Sequence, residues 1–372
     1  MTSATRPTLP PKELPLRQNA TIHSIQLLRS IAATLVVLFH SQQAFAARVS
    51  PALFAQEGYL FGFGAVGVHI FFVISGFIMV LTSCQPGHPY DAKKFYKRRF
   101  LRIYPIYWLC ALAYVGTHAA IGEPYGLSPG EFVGALLLWP ANASAVIGQA
   151  WTLSYEMFFY LCFGLAMTLS LTRGLFVLGT VFVGLIALGV FIPNKGPALH
   201  LVTNTLLLEF LAGTVIGWLA HAGRLPLRWG PVLTGAGVAM FVGGIAIGYK
   251  WAPSAISWGI PSAVLVLGLV TWETARGAST TVRRLGKLGD SSYVLYLIHV
   301  LVVTLAVAIS HALPANLALA PPLAALVIGL ASIALAEAVH RGIERPMLAL
   351  FSPNQGLLPS RSDQAHQPSE LR

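Results

Sequence analysis

Two ionisable residues, Arg29 and His40, lie eleven positions apart in an otherwise apolar run, LLRSIAATLVVLFH. At about 100° per residue, eleven positions end about 20° past three full turns, so both side chains fall on one helix face, roughly 16 Å apart along the axis. Ionisable groups inside a membrane-spanning helix are costly and mark functional sites. A histidine can take a proton near neutral pH, and an arginine can hold an anion. The pair therefore predicts a polar track through an apolar helix.

Glu156 and His40 form a second candidate pair. Glu156 lies in WTLSYEMFFY, near the start of a later apolar segment. The topology given below has this segment entering from the outer side, which puts Glu156 about 10 Å inside the outer boundary, at a depth similar to that of His40. A carboxylate there could orient or recharge a histidine that acts as a general base. Each residue also has an interpretation without a catalytic role. His40 would be a buried histidine whose hydrogen bonds are satisfied, and Glu156 would form an ion pair with an arginine.

The segment before the third apolar run is strongly basic, with six Lys and Arg residues between positions 93 and 102. Arg99 and Arg102 are three residues apart, so they are neighbours on one helix face. Guanidinium groups bind phosphate bidentately, and a helix start at about Arg102 would add free N–H groups, with Pro105 tolerated in its first turn. The two arginines therefore predict a site for a cytoplasmic polyphosphate such as coenzyme A. The alternative is a basic anchor at the membrane surface.

Other polar residues in the apolar segments are weaker candidates. Ser75 could be a nucleophile, but the sequence places no base beside it, and Ser75 with Gly76 is typical of close helix packing. Glu209 lies in the middle of an apolar segment, and so do His69 and His299, the second of which could line a shared cavity. A last group is typical of helix ends: Glu337, His340, Arg341 and Glu344.

The composition indicates a membrane protein. The chain has 372 residues, of which 55% are hydrophobic and 10% are charged, and its mean hydropathy is +0.68. Soluble domains carry about 25% charged residues. Cys84, Cys110 and Cys162 are an odd number without metal-ligand spacing, so neither a disulfide framework nor a metal site is predicted. The first residues are Pro-rich and polar and lack the apolar core of a signal peptide.

The elements that must hold the candidate residues are helices. Apolar runs of about 20 residues predict an all-α, polytopic transmembrane bundle of about ten helices. We place them at 24–44, 63–83, 103–121, 149–170, 174–192, 200–220, 231–249, 255–273, 291–311 and 322–343. Residues 130–139 are apolar but too few to cross, and predict a re-entrant or interfacial helix. One transmembrane domain, 21–350, is expected between disordered cytoplasmic tails at 1–20 and 351–372.

The Lys and Arg residues test this topology. Ten spans put both termini on one side, and of the 24 Lys and Arg residues all then fall on that side except Arg29, Arg48, Lys195 and Lys250. Basic residues accumulate in cytoplasmic loops. Both termini are therefore predicted to be cytoplasmic. The net charge of +11 then reflects orientation in the membrane and does not indicate binding of nucleic acid.

Several of these motifs together resemble those of the acyltransferase-3 family of bacterial membrane O-acyltransferases, over about residues 20–347. The spacing of Arg29 and His40 is similar to the family's Arg-x10-His signature, FFVISGF to its second-helix motif, and RFLRIYP to its Arg-x-x-Arg-x-x-Pro loop. WTLSYEMFFY, SYVLYLIH and IERP resemble later motifs of the family. His69 is a departure, since many members have Asp there. The short form, without a fused extracytoplasmic domain, looks most like the exopolysaccharide-acetylating branch.

The resemblance implies a multi-pass O-acetyltransferase of the bacterial plasma (inner) membrane. Such an enzyme would transfer an acyl group, with acetyl the one expected, from cytoplasmic acetyl-CoA. The acceptor would be a hydroxyl of an exopolysaccharide, of another surface glycan or of a lipid-linked saccharide. Arg99 and Arg102 would bind the CoA phosphates, and Arg29 would continue a cationic path inward. His40 would take the proton of the acceptor hydroxyl or carry the acyl group, while Glu156 would orient His40.

Two other classes of protein stay open at this point. A proton-coupled transporter or exporter of a saccharide would also use intramembrane His, Arg and Glu. It would need no CoA site, and the chain has no clear internal repeat of the kind common in transporters. A membrane acyltransferase of unrelated fold, acting on lipids or proteins, is the other. The predicted partners are acyl-CoA, a saccharide acceptor and membrane lipids, without nucleic acid or metal; the oligomeric state is not predicted.

Overall fold

The computed structural model describes residues 21–49, 60–83, 89–248, 252–312 and 319–351. Over these ranges the chain forms helices and no strands, which confirms the all-α fold class. The predicted N-terminal tail, residues 352–372 of the predicted C-terminal tail, Cys84 and Lys250 lie outside the described residues.

The α-helices follow one another along the chain as α1 His23–Val49, α2 Val66–Ser83, α3 Ala92–Ala120, α4 Pro129–Leu136, α5 Trp151–Ala166, α6 Leu171–Val190, α7 Pro197–Val202, α8 Leu207–His221, α9 Gly230–Ala246, α10 Ile260–Arg276, α11 Thr280–Gly286, α12 Ser292–Ala312, α13 Pro321–Val339 and α14 Arg345–Phe351. Short 3₁₀ turns precede α2, α5, α9 and α12, at Gly62–Ala65, Gly148–Ala150, Leu227–Trp229 and Lys287–Gly289. Single π-helical turns, Ala255–Gly259 and His340–Glu344, lead into α10 and α14.

All ten predicted spans fall on helical segments, but not all of these segments have the character of a span. Eight described segments are long and apolar enough to cross a membrane. The exceptions are α3, which begins with the basic cluster, and α5, which has 16 residues. The predicted span 200–220 is broken into α7 and α8, and at the break the Asn204 side chain accepts the backbone N–H of Leu206. The count of ten spans and the cytoplasmic termini stay predictions.

Helix α1, which carries Arg29 and His40, lies at the centre of the bundle and packs against α2, α10, α12 and α13. Its first N–H groups would lack partners within the helix. The carboxylate of Glu273 in α10 is their partner, since it accepts from the backbone N–H of His23 at 2.8 Å and of Ser24 at 2.6 Å. This contact fixes where α1 begins, and hence the height of the residues along it.

Helix α2 runs antiparallel to α1 in close contact. A Cβ added to Gly64 would lie 2.2 Å from the carbonyl oxygen of Leu35, and one added to Gly67 would lie 2.3 Å from that of Ala32. Only glycine fits this approach of two backbones. The two contacts fix the register of α2 against α1. From Gly64 to Gly67 the chain advances three residues, and the contacted residue in α1 goes back by three, from Leu35 to Ala32.

Helix α4 confirms the prediction of a short helix near residues 130–139. Its last carbonyl groups would be unsatisfied without partners, which is costly away from water. Three aromatic side chains of α3 donate to them: Tyr107 to Ala135 at 2.8 Å, Trp108 to Leu136 at 2.9 Å and Tyr104 to Leu137 at 3.2 Å. Since these donors lie in the middle of α3, the end of α4 lies beside the middle of that longer helix.

Candidate active site

A cavity of about 160 Å³ lies between α1, α2, α3, α5 and α12. Its apolar wall comes mainly from α2, with Phe71, Phe72, Ile74, Ile78 and Met79. Its charged groups are four residues that the sequence predicted for the site, Arg29, Arg99, Arg102 and Glu156. The fold thus brings together three cations and one carboxylate from three separate stretches of the chain. His40, the fifth predicted site residue, is not part of this lining.

Glu156 is held by two hydroxyl groups. Ser75 on α2 donates to its Oε1 at 2.9 Å, and Tyr160, one turn further along α5, donates to the same oxygen in a very short hydrogen bond. The structure thus supplies the carboxylate neighbour of Ser75 that the sequence alone did not. Tyr160 was not singled out from the sequence, although its spacing of four residues from Glu156 is a signal for contact on one helix face.

The expectation that Glu156 and His40 share a depth is wrong. Gly67 of α2 is in contact with Ala32 of α1. From this contact, Ser75 lies eight residues further along α2, which is about 12 Å toward the start of the antiparallel α1. His40 lies eight residues from Ala32 in the other direction, about 12 Å toward the end of α1. Since Glu156 is hydrogen-bonded to Ser75, it lies far from His40 along the bundle. Among the described residues no hydrogen bond joins Glu156 and His40, so no contact supports the prediction that Glu156 orients the His40 ring.

The partner of His40 is instead His299 on α12. The Nδ1 atom of His40 lies 3.0 Å from the carbonyl oxygen of Val36 and 3.4 Å from Nε2 of His299. The two rings are 5.3 Å apart between centroids. His299 is fully buried. The sequence identified it as intramembrane, but its contact with a residue 259 positions away gave no local signal.

Tyr296 separates the cavity from this histidine pair. Its ring lines the cavity and lies 6.0 Å from the ring of His299. Its hydroxyl is hydrogen-bonded to the Thr152 hydroxyl at 2.8 Å and donates to the carbonyl oxygen of Gln149 at 3.0 Å. Tyr296 is therefore a residue that lies beside both the cavity and the histidine pair.

Arg29 presents to the cavity a charge that is not directly paired. Its Nη1 donates to Oε1 of Gln26 at 2.8 Å, and the Gln26 amide in turn donates to Asp290 at 2.8 Å. No carboxylate pairs directly with Arg29 within the described ranges. A buried guanidinium that keeps only a neutral partner favours a bound anion or a strongly polar ligand.

Arg102 is already paired. Its Nη1 donates to Oε1 of Glu344 at 2.6 Å, and Nδ1 of His340 lies 2.6 Å from the other oxygen of that carboxylate. Glu344 is fully buried and is directed inward by the π-helical turn before α14. The interpretation of Glu344 and His340 as helix-end residues is therefore incomplete, since together they hold one of the two predicted phosphate ligands.

The charge of Arg99 is more available to a ligand than that of Arg102. It lies over the rings of Phe95 and Tyr160, 5.7 and 5.8 Å from their centroids, and no described carboxylate pairs with it. Burial, followed by the charge of Arg99, lowers the pKa of neighbouring Arg98, which lies before the predicted third span. Cations this close repel one another, so an anion bound between them is favoured.

His69 and Glu209 form a separate buried pair between α2 and α8. The Nδ1 atom of His69 lies 2.7 Å from Oε1 of Glu209, and both side chains are almost fully buried. Neither lines the cavity. The pair is therefore a buried hydrogen bond that joins two helices. Where the described chain is concerned, no three His, Cys, Asp or Glu residues are grouped as a metal site requires.

We predict that His69→Asp, which introduces the residue expected from the family resemblance, destabilises the protein. Two carboxylates would face each other and Glu209 would lose its donor, at a cost of about 1–3 kcal/mol. The measurement is thermal unfolding of the detergent-purified protein. His69→Gln, which keeps a donor for Glu209, is the matched control. Equal melting temperatures for His69→Asp and the wild type would show that the pair contributes nothing.

The helices and this cavity define a multi-pass helical membrane protein with a cationic, carboxylate-containing interior. The chain belongs to the acyltransferase-3 family, because the model of that family's acyltransferase domain matches residues 22–341. The family predicted from the motifs is therefore confirmed, and with it an acyltransferase enzyme. No solved structure matches the chain.

Three curated relatives cover most of the chain. The exopolysaccharide production protein ExoZ of Rhizobium meliloti (strain 1021) is 31% identical over 304 residues, which are 79% of this chain and 92% of ExoZ. The putative membrane-bound transacylase BcsY of Komagataeibacter xylinus is 29% identical over 300 residues, 73% of this chain and 70% of BcsY. The acyltransferase MdmB of Streptomyces mycarofaciens is 26% identical over 320 residues, 75% of this chain and 78% of MdmB.

Proposed function

We propose that the protein is an O-acetyltransferase of the bacterial plasma membrane. It transfers acetyl from cytoplasmic acetyl-CoA to a hydroxyl of an exopolysaccharide or another surface glycan. The observation that carries the proposal is the cavity in which Arg29, Arg99 and Arg102 face one apolar wall. The acceptor class is supported by the name of ExoZ, an exopolysaccharide production protein. An acyltransferase family does not favour the alternative of a saccharide exporter.

The cavity suits the donor in two parts. Arg99 and the free donors of Arg102 bind the CoA phosphates, since guanidinium groups match phosphate oxygens bidentately. Beyond them the wall is apolar, with Phe71, Ile74 and Ile78, which fits the alkyl segments of a pantetheine arm. Its amide groups require hydrogen-bond partners when buried. Ser75 and the other polar groups that surround Glu156 offer them along this wall.

His40 does the chemistry in this proposal. Its Nε2 takes the proton of the acceptor hydroxyl while the acceptor oxygen bonds to the acyl carbon. The carbon–sulfur bond of the thioester then breaks, and the sulfur leaves as a thiolate that receives the proton from His40. An acyl-His40 intermediate uses the same Nε2 atom, as a nucleophile in place of a base. Both routes need the thioester to pass Tyr296.

Arg29 and Glu156 act before the chemical step in this proposal. Arg29 lies on the same face of α1 as His40, between His40 and the phosphate site. It holds a polar group of the donor arm. Glu156 fixes the Ser75 and Tyr160 hydroxyls in the passage, so that both present their oxygen lone pairs to the arm. The role first predicted for Glu156, orienting His40, is replaced by this one.

We expect Arg99→Ala to raise KM for acetyl-CoA by about 10–100-fold with little change in kcat, because a hydrogen bond to a charged group contributes about 1.5–3 kcal/mol. The measurement is CoA release by purified protein at varied acetyl-CoA. Lys97→Ala, on the same helix but exposed and outside the cavity, is the control. An equal rise in KM for both variants would mean that diffuse surface charge, and not the cavity, binds the donor.

The proposal as a whole is tested by mass spectrometry of surface glycans from cells with and without the protein. An added acetyl mass on one sugar, present only with the wild-type protein, is expected. In parallel, purified protein with acetyl-CoA and that glycan should release CoA. Glycans that differ in amount outside the cell but not in acetylation, with no CoA released, would instead support the exporter.

A further inference from the structure

We propose that His299 is a positioning residue that holds His40 with its Nε2 free and supports the charge that His40 acquires. The inference rests on the proposed function, in which His40 is the base or nucleophile. It adds a residue that is not among the predicted catalytic residues and that lies outside the cavity. His299 acts only through His40 and does not contact the substrate.

The hydrogen-bond partners determine where each ring carries its proton. The carbonyl oxygen of Val36 lies 3.0 Å from Nδ1 of His40, and that of Leu295 lies 3.1 Å from Nδ1 of His299. A carbonyl oxygen can only accept, so each Nδ1 must be the N–H donor in the neutral ring. Each Nε2 then carries a lone pair. The Nε2 of His299 is the atom 3.4 Å from Nδ1 of His40, so it is an acceptor for the same proton.

This arrangement leaves Nε2 of His40 as the reactive atom. Two acceptors, the Val36 carbonyl and the His299 Nε2, converge on the opposite side of the His40 ring. Within the described ranges no polar group is hydrogen-bonded to the His40 Nε2, which stays free for a hydroxyl or a thioester. The 3.4 Å contact is long for a hydrogen bond, but catalytic hydrogen bonds are often long without substrate and tighten with it.

The second acceptor gains importance once His40 is charged. An imidazolium away from water is costly unless its N–H groups are hydrogen-bonded. No described carboxylate contacts His40, since Glu156 is bonded to Ser75 and Tyr160. His299 is therefore the side chain that performs what the sequence assigned to Glu156. Its own Nδ1 is tied to the Leu295 carbonyl, which fixes the ring with its lone pair directed at His40.

The test compares His299→Gln with His299→Leu, two variants of similar volume. The amide oxygen of glutamine can accept the His40 N–H, whereas leucine cannot. For His299→Leu we expect kcat to fall about 10–100-fold, with KM for acetyl-CoA within twofold of the wild type. We expect His299→Gln to recover most of kcat. The inference is overturned if His299→Leu keeps kcat within twofold, or if both variants fall equally.

A second measurement does not depend on turnover. In protein with ¹⁵N-labelled histidine, with His40 assigned by comparison with His40→Asn, the wild type should show a protonated Nδ1 and an unprotonated Nε2 at His40. A proton on Nε2 overturns the inference. If the wild-type protein releases no CoA with any glycan, the proposed function fails. The nitrogen spectra then decide the ring arrangement by themselves.

Discussion

His40→Ala is expected to lower the rate of acetyl transfer by about 10²–10⁴-fold, the usual contribution of a general base. KM for acetyl-CoA should change little, because His40 does not line the cavity that holds the arginines. The measurement is CoA release by purified protein with saturating acetyl-CoA and the acceptor glycan, together with the acetyl content of glycan from cells that express the variant.

A matched control is His311→Ala. His311 is an exposed histidine in the last turn of α12, so its removal deletes the same type of side chain away from the site. Full acetylation by His40→Ala at a normal protein level would contradict the proposal. Loss of acetylation by both variants would point to a general defect in folding or insertion.

Glu344→Ala is expected to cost stability more than any other single change considered for this protein. It would leave Arg102 and His340 without their common acceptor, and breaking a buried charge pair costs about 3–5 kcal/mol. Because the Arg102 side chain is 31% exposed, we expect the lower end, about 3 kcal/mol. The measurement is the melting temperature of purified protein, and its amount in membranes.

The chain contains a natural comparison about two turns before Glu344. Glu337 accepts from Arg341 at 2.6 Å, but the Arg341 side chain is 72% exposed. A solvent-exposed pair of this spacing contributes about 0.3–0.5 kcal/mol, so Glu337→Ala should leave the melting temperature almost unchanged. Equal falls in melting temperature for Glu344→Ala and Glu337→Ala would show that the buried contact of Glu344, at the π-helical turn, stabilises the protein no more than the exposed pair does.

The sequence predicted the parts of the fold and site that depend on local pattern. Runs of apolar residues predicted the long helices and the short helix α4, because length and hydropathy are properties of a single segment; the short helices α11 and α14 were not predicted. The spacing of Arg29 and His40 placed both on one face of α1 in the same way. The family motifs identified the four charged residues that the cavity brings together. All of this requires only the geometry of one helix at a time.

The rest depends on how helices sit against one another. Glu156 was placed at the depth of His40 on the assumption that its helix begins at the membrane boundary. Instead, α5 follows the short helix α4, and Ser154 near its start donates to the carbonyl oxygen of Leu138 at 2.7 Å, beside the middle of α3. Glu156 is therefore deeper than its position along the chain indicates. The contact of His40 with His299 likewise depends on a register that no local pattern encodes.

Tyr296 has a consequence for the cell's energy supply. A bacterial membrane stores energy as a difference in electrical potential and proton concentration, and any open aqueous path through a protein would dissipate it. Here the Tyr296 hydroxyl is held by the Thr152 hydroxyl and the Gln149 carbonyl, and the residue lies beside both the cavity and His299. A ring held in this way takes up space that a column of water would need, so it opposes an aqueous leak at this point of the bundle.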